Sequence, residues 1–349
     1  MIPAGGQGRR LWPCSSIARP KFLWAWSGGD TLAQATARRL VNLCQSLTFV
    51  SAQSSRDLLQ TQIHAVAPAA RIISEPSPRN SLPAIALGAA FIANRFPSAL
   101  IGSFPIDHII AGKDVFARCV GDACAAADKG FLATIGILPA APATGYGYIE
   151  KGETIPGLPT VLQAKSFTEK PSAPLAEEYL NSGEYLWNAG IFVARAEMLL
   201  EALETQVPGC GLAVRELARD WDTLDAAAKA QLWERLVAAP IDTVLAQPLA
   251  SQGKVAVVPA PEHLGWADVG DWDSLYHHLA PAGGTLNLGG KPLCCEDSEQ
   301  ALVYTESLAG VSIVGIPDAV VVESGGKLLV TTRKFAQNVK NASVCADKW

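Results

Sequence analysis

The chain has 349 residues, of which 49% are apolar and only 17% charged, with a formal net charge of −5. That supplies a full core for one large domain or two, and it excludes the basic field that a nucleic-acid partner requires. The longest apolar run, Leu82–Ala93, is too short to cross a bilayer, and no basic n-region leads into a signal h-region. A soluble, cytoplasmic protein with no membrane partner is expected. The eight cysteines form no C-x2-C pair, and Cys294 and Cys295 are adjacent, so neither a zinc site nor a disulfide framework follows.

The first twenty-one residues carry the strongest pattern. A short apolar strand, Met1–Ala4, runs into Gly5, Gly6 and Gly8, then Arg9 and Arg10, and the segment closes on Pro20-Lys21. Glycines let successive backbone N–H groups turn toward one point, and such a nest binds phosphate oxygens, with Arg and Lys adding full charges. The dinucleotide fingerprint needs a small residue where this chain has Leu11, and the only approach to a Walker loop, Gly289-Gly290-Lys291-Pro292, lacks the upstream glycine and the hydroxyl. What remains is a polyphosphate cradle of another kind. Gly-Gly-x-Gly-x-Arg-Leu-x-Pro followed by Pro-Lys resembles the sugar-1-phosphate nucleotidyltransferases, and Trp12 is similar to their mannose-1-phosphate guanylyltransferase branch. Arg9 stands where that family usually has Thr, and Ser16 where Arg is common. Because the first strand is short and related chains begin several residues earlier, an upstream extension is expected to anchor the loop better.

Strands and helices then alternate. Helix is expected from Asp30, as cap, to about Cys44, strand at 47–51, helix at 55–66 and strand at 71–75. This favours a mostly parallel sheet with helices on both faces and ligands beyond the strands' carboxyl ends. Glu75-Pro-Ser-Pro-Arg79-Asn80-Ser81 leads into an Ala-rich helix, where Asn80 is a good N-cap. The stretch also resembles the family's base-binding segment, which implies guanine contact for Arg79 and Asn80. The apolar strand from Leu100 ends on Asp107-His108, and a carboxylate there can help hold a Mg2+ that bridges nucleotide phosphates. His108 reads as a packing or supporting residue.

Gly145-Tyr146-Gly147 alone reads as a turn with an aromatic plug; in the family it lies against the sugar. Phe167-Thr-Glu169-Lys170-Pro is a strand end with a charged pair, offering an acceptor for sugar hydroxyls and a cation for the sugar phosphate. Asn188-Ala-Gly190 resembles a further sugar contact, and Asp242 more weakly. Residues 196–250 read as helical cover. Gly265-Trp-Ala-Asp268-Val-Gly270-Asp271 is the second specific match, implying a second metal carboxylate at Asp268, while Asp271 is suited to cap the next helix.

From about Pro281 the composition shifts to short β-like runs, with a hairpin expected at Gly325-Gly326. The resemblance implies a short left-handed parallel β-helix and pairing of two copies through it. The expected organisation is therefore α/β: a Rossmann-like nucleotidyltransferase domain at 1–282 and a small C-terminal β module at 283–349. A fused second catalytic domain is not expected.

The resemblance implies GTP and mannose 1-phosphate as substrates and Mg2+ as cofactor. Nucleotide falls to Ala4, Gly5, Gly6, Gly8, Arg79, Asn80 and Asp107, with Arg10, Lys21 and Lys170 as catalytic cations. The sugar phosphate falls to Gly145, Tyr146, Gly147, Glu169, Lys170 and Asn188, and the metal to Asp107 and Asp268. Two alternatives stay open: nucleotidyl transfer to another sugar 1-phosphate or from another base, and a non-catalytic nucleotide-sugar sensor on the same fold.

Overall fold

The computed structural model describes residues 1–6, 8–16, 19–25, 29–281 and 283–346. The first half alternates as its periodicity predicts: β1 (Ile2–Ala4), α1 (Leu32–Leu40), β2 (Thr48–Ala52), α2 (Arg56–His64), β3 (Arg71–Glu75), α3 (Ser81–Ala93) and β4 (Leu100–Ser103). Thr31, rather than Asp30, caps α1, through a capping box with Gln34. Next come β5 (His108–Ile110), α4 (Lys113–Asp128), β6 (Leu132–Ile137), β7 (Gly147–Ile155), β8 (Leu158–Glu169), α5 (Ala173–Ser182) and β9 (Tyr185–Arg195). A helical run, α6 (Ala196–Gln206), α7 (Cys210–Arg219), α8 (Ala226–Glu234) and α9 (Gln247–Ser251), leads to β10 (Val255–Pro259), β11 (Trp266–Asp268) and α10 (Trp272–Leu279).

Strands β1, β2 and β3 form a parallel three-stranded sheet, and β4-β9-β6-β10-β8-β7 a six-stranded one. Met1 joins them: its amino group donates to Gly102 O at 2.6 Å and its carbonyl accepts from Phe104 N at 3.0 Å. Read across the joint, the order β3-β2-β1-β4 reverses direction between β1 and β4. That is the switch point where α/β sheets open a crevice. The expectation of a mostly parallel sheet is corrected in the larger sheet, where only β10–β6 is parallel and the other pairings are antiparallel. A tight turn at Pro156-Gly157 allows only an antiparallel return, and apolar periodicity reports that a strand exists, not which way its neighbour runs. Side chains alternate between two apolar layers: Ile2, Phe49 and Ala256 pack with α1, α2 and α4, whereas Val50, Val255 and Val257 pack with α3, α6 and α7.

Beyond residue 283, β12 (Leu286–Asn287), β13 (Leu293–Glu296), β14 (Leu302–Thr305), β15 (Val311–Val314), β16 (Ala319–Ser324) and β17 (Lys327–Thr332) follow. Leu286 pairs in parallel with Leu302 and Leu302 with Val320, while Leu293 pairs with Val311, so successive strands stack like turns of a coil. The glycine hairpin forms as expected, with Gly325 at φ 57° and Gly326 at φ 74° linking β16 to antiparallel β17. A 3-10 helix (Arg333–Asn338) and α11 (Val339–Ala346) then return onto the loop that follows β1.

Candidate active site

Ala4, 2% exposed, ends β1, so what it offers a ligand is backbone. Gly5 and Gly6 are exposed at the mouth of the loop. Gly8 is held at φ 60°, and a Cβ there would lie 2.7 Å from Lys21 Cβ. Glycine is therefore required twice, for the backbone sign and for the close passage of the lysine stem. Residues Arg9–Leu11 make a 3-10 turn closed by Leu11 N donating to Gly8 O at 2.8 Å. This turn presents Arg10, whose Nη1 donates to Gln337 Oε1 at 3.0 Å and lies 3.9 Å from Asp271 Oδ2.

Lys21, on a second 3-10 turn, donates to Val269 O at 3.3 Å and ion-pairs with Asp107. Asp107 follows β4 in a turn, so the apolar strand stops at Ser103, before the carboxylate. Asp268 arrives on β11, whose antiparallel pairing with β5 sets Asp268 opposite His108. Donor atoms of Asp107, His108 and Asp268 all lie within 4.8 Å of one another. Burial opposes ionisation of Asp107, but the charge and hydrogen bond of Lys21 outweigh it and its pKa falls below the ordinary carboxylate value. Burial and the neighbouring Asp107 push Asp268 up to about 6. Burial also opposes the Lys21 charge, and the two carboxylates more than compensate, raising its pKa. Two carboxylates crowded out of water against one lysine fit a hard divalent cation with oxygen ligands.

His108 is 6% exposed, and burial lowers its pKa to about 4, so the ring is neutral. The Trp266 indole N–H donates to its Nδ1 at 3.3 Å, which leaves the ring proton on Nε2. A protonated Nε2 donates rather than ligates.

Across Asp268 lies a second pocket of about 120 Å3, walled by Gly145, Tyr146, Gly147, Glu169, Asn188 and Asp242. Sheet register assembles it. Gly147 faces Glu169 across β7–β8, and a Cβ on Gly147 would come within 2.7 Å of Glu169 Oε2. Tyr146 packs between Trp187 and Trp266, at ring distances of 5.0 and 5.6 Å. Glu169 ion-pairs with Lys170, which is held at φ 48°, a left-handed conformation unusual for a lysine.

Asn188 is only 7% exposed, and both ends of its amide are engaged: Oδ1 accepts from Thr134 Oγ1 at 2.8 Å and Gly190 N at 3.1 Å, and one Nδ2 proton is donated to Asp242 Oδ1 at 2.7 Å. It thus aims Asp242 at the pocket. Burial, with Glu169 nearby, raises the Asp242 pKa to about 6. Sequence reasoning marked Asp242 only faintly, and the signal that finds it is its hydrogen bond to Asn188.

Arg79 and Asn80 have local duties. Arg79 donates to Leu236 O and Glu234 O at the end of α8, and Asn80, at φ 72°, caps α3 by accepting from Ser81 N. Gln337 carried no signal in the sequence, and Glu75 only as the first residue of the segment that resembles the family's base-binding stretch. Glu75, 6% exposed, sets Oε1 3.8 Å from where a Gly5 Cβ would lie, and burial lifts its pKa to about 7. Among the described residues no helix is long and apolar enough to cross a membrane.

The description "Nucleotidyl transferase" belongs to the family whose pattern matches residues 1–281. A mannose-1-phosphate guanylyltransferase of Escherichia coli strain K12 is 34% identical over 359 residues, spanning 97% of this chain and 71% of that protein. One from Salmonella typhimurium strain LT2 is 34% identical over 352 residues, with the same coverage of 97% and 71%. A solved structure from Thermus thermophilus, titled a mannose-1-phosphate geranyltransferase, superposes with a TM-score of 0.84 at 26% identity, covering 99% of this chain and 98% of that one. With a glycine cradle and paired carboxylates at the switch point of a Rossmann-like α/β fold, and with that match over most of its length, the chain belongs to the nucleotidyl transferase family.

Proposed function

We propose that this enzyme transfers GMP from GTP to mannose 1-phosphate, giving GDP-mannose and pyrophosphate. The observation that carries the reading is the placement of Asp268: it stands with Lys21 and Asp107 on the phosphate side and also lines the sugar-sized pocket. An α-phosphate at that boundary meets both reactants. The names of the relatives supply the sugar and the base.

In this reading a phosphate oxygen of mannose 1-phosphate attacks the α-phosphorus of GTP in line. The P–O bond to the β-phosphate breaks, and pyrophosphate leaves with the bonding pair. The nucleophile is already anionic, so no general base is needed and positioning does most of the chemistry. The loop of Ala4, Gly5, Gly6 and Gly8 with Arg10 receives the departing pyrophosphate, and Lys21 meets charge developing beside the α-phosphate. Arg79 and Asn80 border the base. Tyr146 and the glycines beside it give the sugar a flat wall, Glu169 and Asp242 accept its hydroxyls, Asn188 orients Asp242, and Lys170 turns from Glu169 to the sugar phosphate. Asp107 and Asp268 would hold Mg2+, which would supply positive charge to offset that of the phosphate oxygens.

Residues 1–282 act as the catalytic unit, supported by a family match that ends at residue 281. The C-terminal module, 283–349, is read as a short left-handed β-helix, supported by the strand stack between Leu286 and Thr332. Its edge strand β17 exposes Leu328 and Val330, which suits pairing of two copies; Leu328→Lys with Val330→Lys should then yield a monomer by sedimentation. Pyrophosphate release, measured for each NTP against a panel of sugar 1-phosphates with and without Mg2+, tests the activity. GTP with mannose 1-phosphate should lead the panel. A different leading pair would replace the substrates named here, and binding without release would make the protein a sensor.

A further inference from the structure

Arg10 and Asp271 stand 3.9 Å apart, the long end of an ion pair, and the neutral amide of Gln337 bridges them. Asp271 is 4% exposed at its side chain, and its Oδ1 is taken by the first turn of α10, accepting from Asp273 N at 3.0 Å and Ser274 N at 2.9 Å. Its Oδ2 accepts from Gln337 Nε2. The same amide accepts from Arg10 Nη1 through Oε1 at 3.0 Å. The orientation of the Gln337 amide is thereby set at both ends. Arg10 Nη2 flanks Gly270, 3.7 Å from where a Cβ there would lie, while Asp268 Oδ2 is 3.3 Å from the same point. The guanidinium is thus held beside a carboxylate of the reaction centre, and its side chain remains 41% exposed.

Gln337 belongs to the 3-10 helix that follows the β module, far along the chain from the loop. Neighbouring contacts fix that helix in place. Arg333 donates to Asp273 at 3.2 Å and lies 4.0 Å over the Tyr276 ring, so it and Gln337 both dock on α10. On the loop side Arg19 reaches Glu306 at 3.0 Å, and Trp24 packs edge-on against Trp272 and Tyr304, each at 5.4 Å.

We propose that Gln337 is a positioning residue for the phosphate cradle: it holds Arg10 by an uncharged acceptor and keeps Asp271 from closing into direct hydrogen-bonded contact with it. An uncharged acceptor fixes direction while engaging one N–H, so the remaining guanidinium N–H groups stay aimed where a pyrophosphate oxygen would lie. Without the amide, Arg10 Nη1 has Asp271 Oδ2 3.9 Å away and swings toward it, off the phosphates. The inference rests on the reading above, in which Arg10 receives pyrophosphate.

The test uses the full chain, with Mg-pyrophosphate as the probe, titrated by calorimetry. Gln337→Ala and the similarly long Gln337→Met should each weaken binding about 10-fold, the scale of one charge-assisted hydrogen bond. In turnover the KM for GTP should rise by a like factor while the KM for mannose 1-phosphate stays put, with melting temperature unchanged. Gln337→Glu should weaken pyrophosphate binding further, because it places a carboxylate on Arg10. In an Arg10→Ala background, Gln337→Ala should add nothing. Unchanged pyrophosphate affinity in both neutral variants, or an equal loss with and without Arg10, overturns the proposal and leaves the substrates standing. Wild-type chain that binds pyrophosphate but releases none from GTP and mannose 1-phosphate removes the substrates, and a Gln337 effect on pyrophosphate affinity then upholds this role alone.

Discussion

The two sides of the site are built by different means. On the side proposed for the sugar, Gly147, Glu169, Trp187 and Asn188 lie on adjoining strands of one sheet, and register alone brings them together. On the side proposed for the phosphates, Arg10, Lys21, Asp107 and Asp268 come from four separate segments, each held by ion pairs and hydrogen bonds to distant parts of the chain. A wall set by backbone pairing is rigid and tolerant of neighbouring change. A cluster set by opposed charges is responsive, since each member's ionisation depends on the rest.

The largest effects should therefore come from the charge cluster. Lys21→Ala and Asp268→Asn are each expected to lower kcat about 10²–10³-fold, the scale seen when one preorganised group is removed from a charge-stabilising site. Pyrophosphate release at saturating substrates measures this, and turnover near wild type would end the assignment of the phosphate side. On the register-built side the effect should be smaller and confined to one substrate. Gly147→Ala puts a methyl 2.7 Å from Glu169 Oε2, and should raise the KM for mannose 1-phosphate about 10-fold with the KM for GTP unchanged. Equal rises in both constants would show that the two sides are not separable in this way.

The smallest effect concerns stability. Glu75, beneath the loop, has its pKa raised by burial to about 7 from an ordinary 4.5. Below pH 4.5 the group is protonated both folded and unfolded and imposes no penalty. As pH rises from there through about 7, the unfolded chain releases its proton first, so stability falls. Glu75→Gln should be the more stable protein at about pH 8 by on the order of 1 kcal/mol, with the advantage gone at about pH 4.5. A melting-temperature difference that is flat with pH would show that the carboxyl is accommodated in its charged form.

Short-range patterns were legible from sequence, and long-range ones were not. The glycines of the loop, Asn80 as a cap, the hairpin at Gly325-Gly326 and most of the alternating elements declare themselves within a few residues, because caps, turns and periodicity are local physics. Strand direction in the six-stranded sheet did not, since β8 and β10 look alike whichever way they run. Strands β12 and β13 were overlooked because two or four residues, including Cys294 and Cys295, carry no period to read. The approach of Asp107 to Asp268 came only from resemblance, and the Arg10–Gln337–Asp271 chain from neither source. No pattern in residues 1–21 names a partner at 337.

That separation bears on how the protein is made. The loop leaves the ribosome long before its partners: Trp272, whose indole N–H closes on Trp12 O at 3.1 Å, follows 260 residues later, and Gln337 follows Arg10 by 327. Contacts of such span form last and slowly, after the sheet that frames them. A nascent chain carries the glycine-arginine motif through all the intervening synthesis, and the contact that holds Arg10 forms only when the helix bearing Gln337 has folded back.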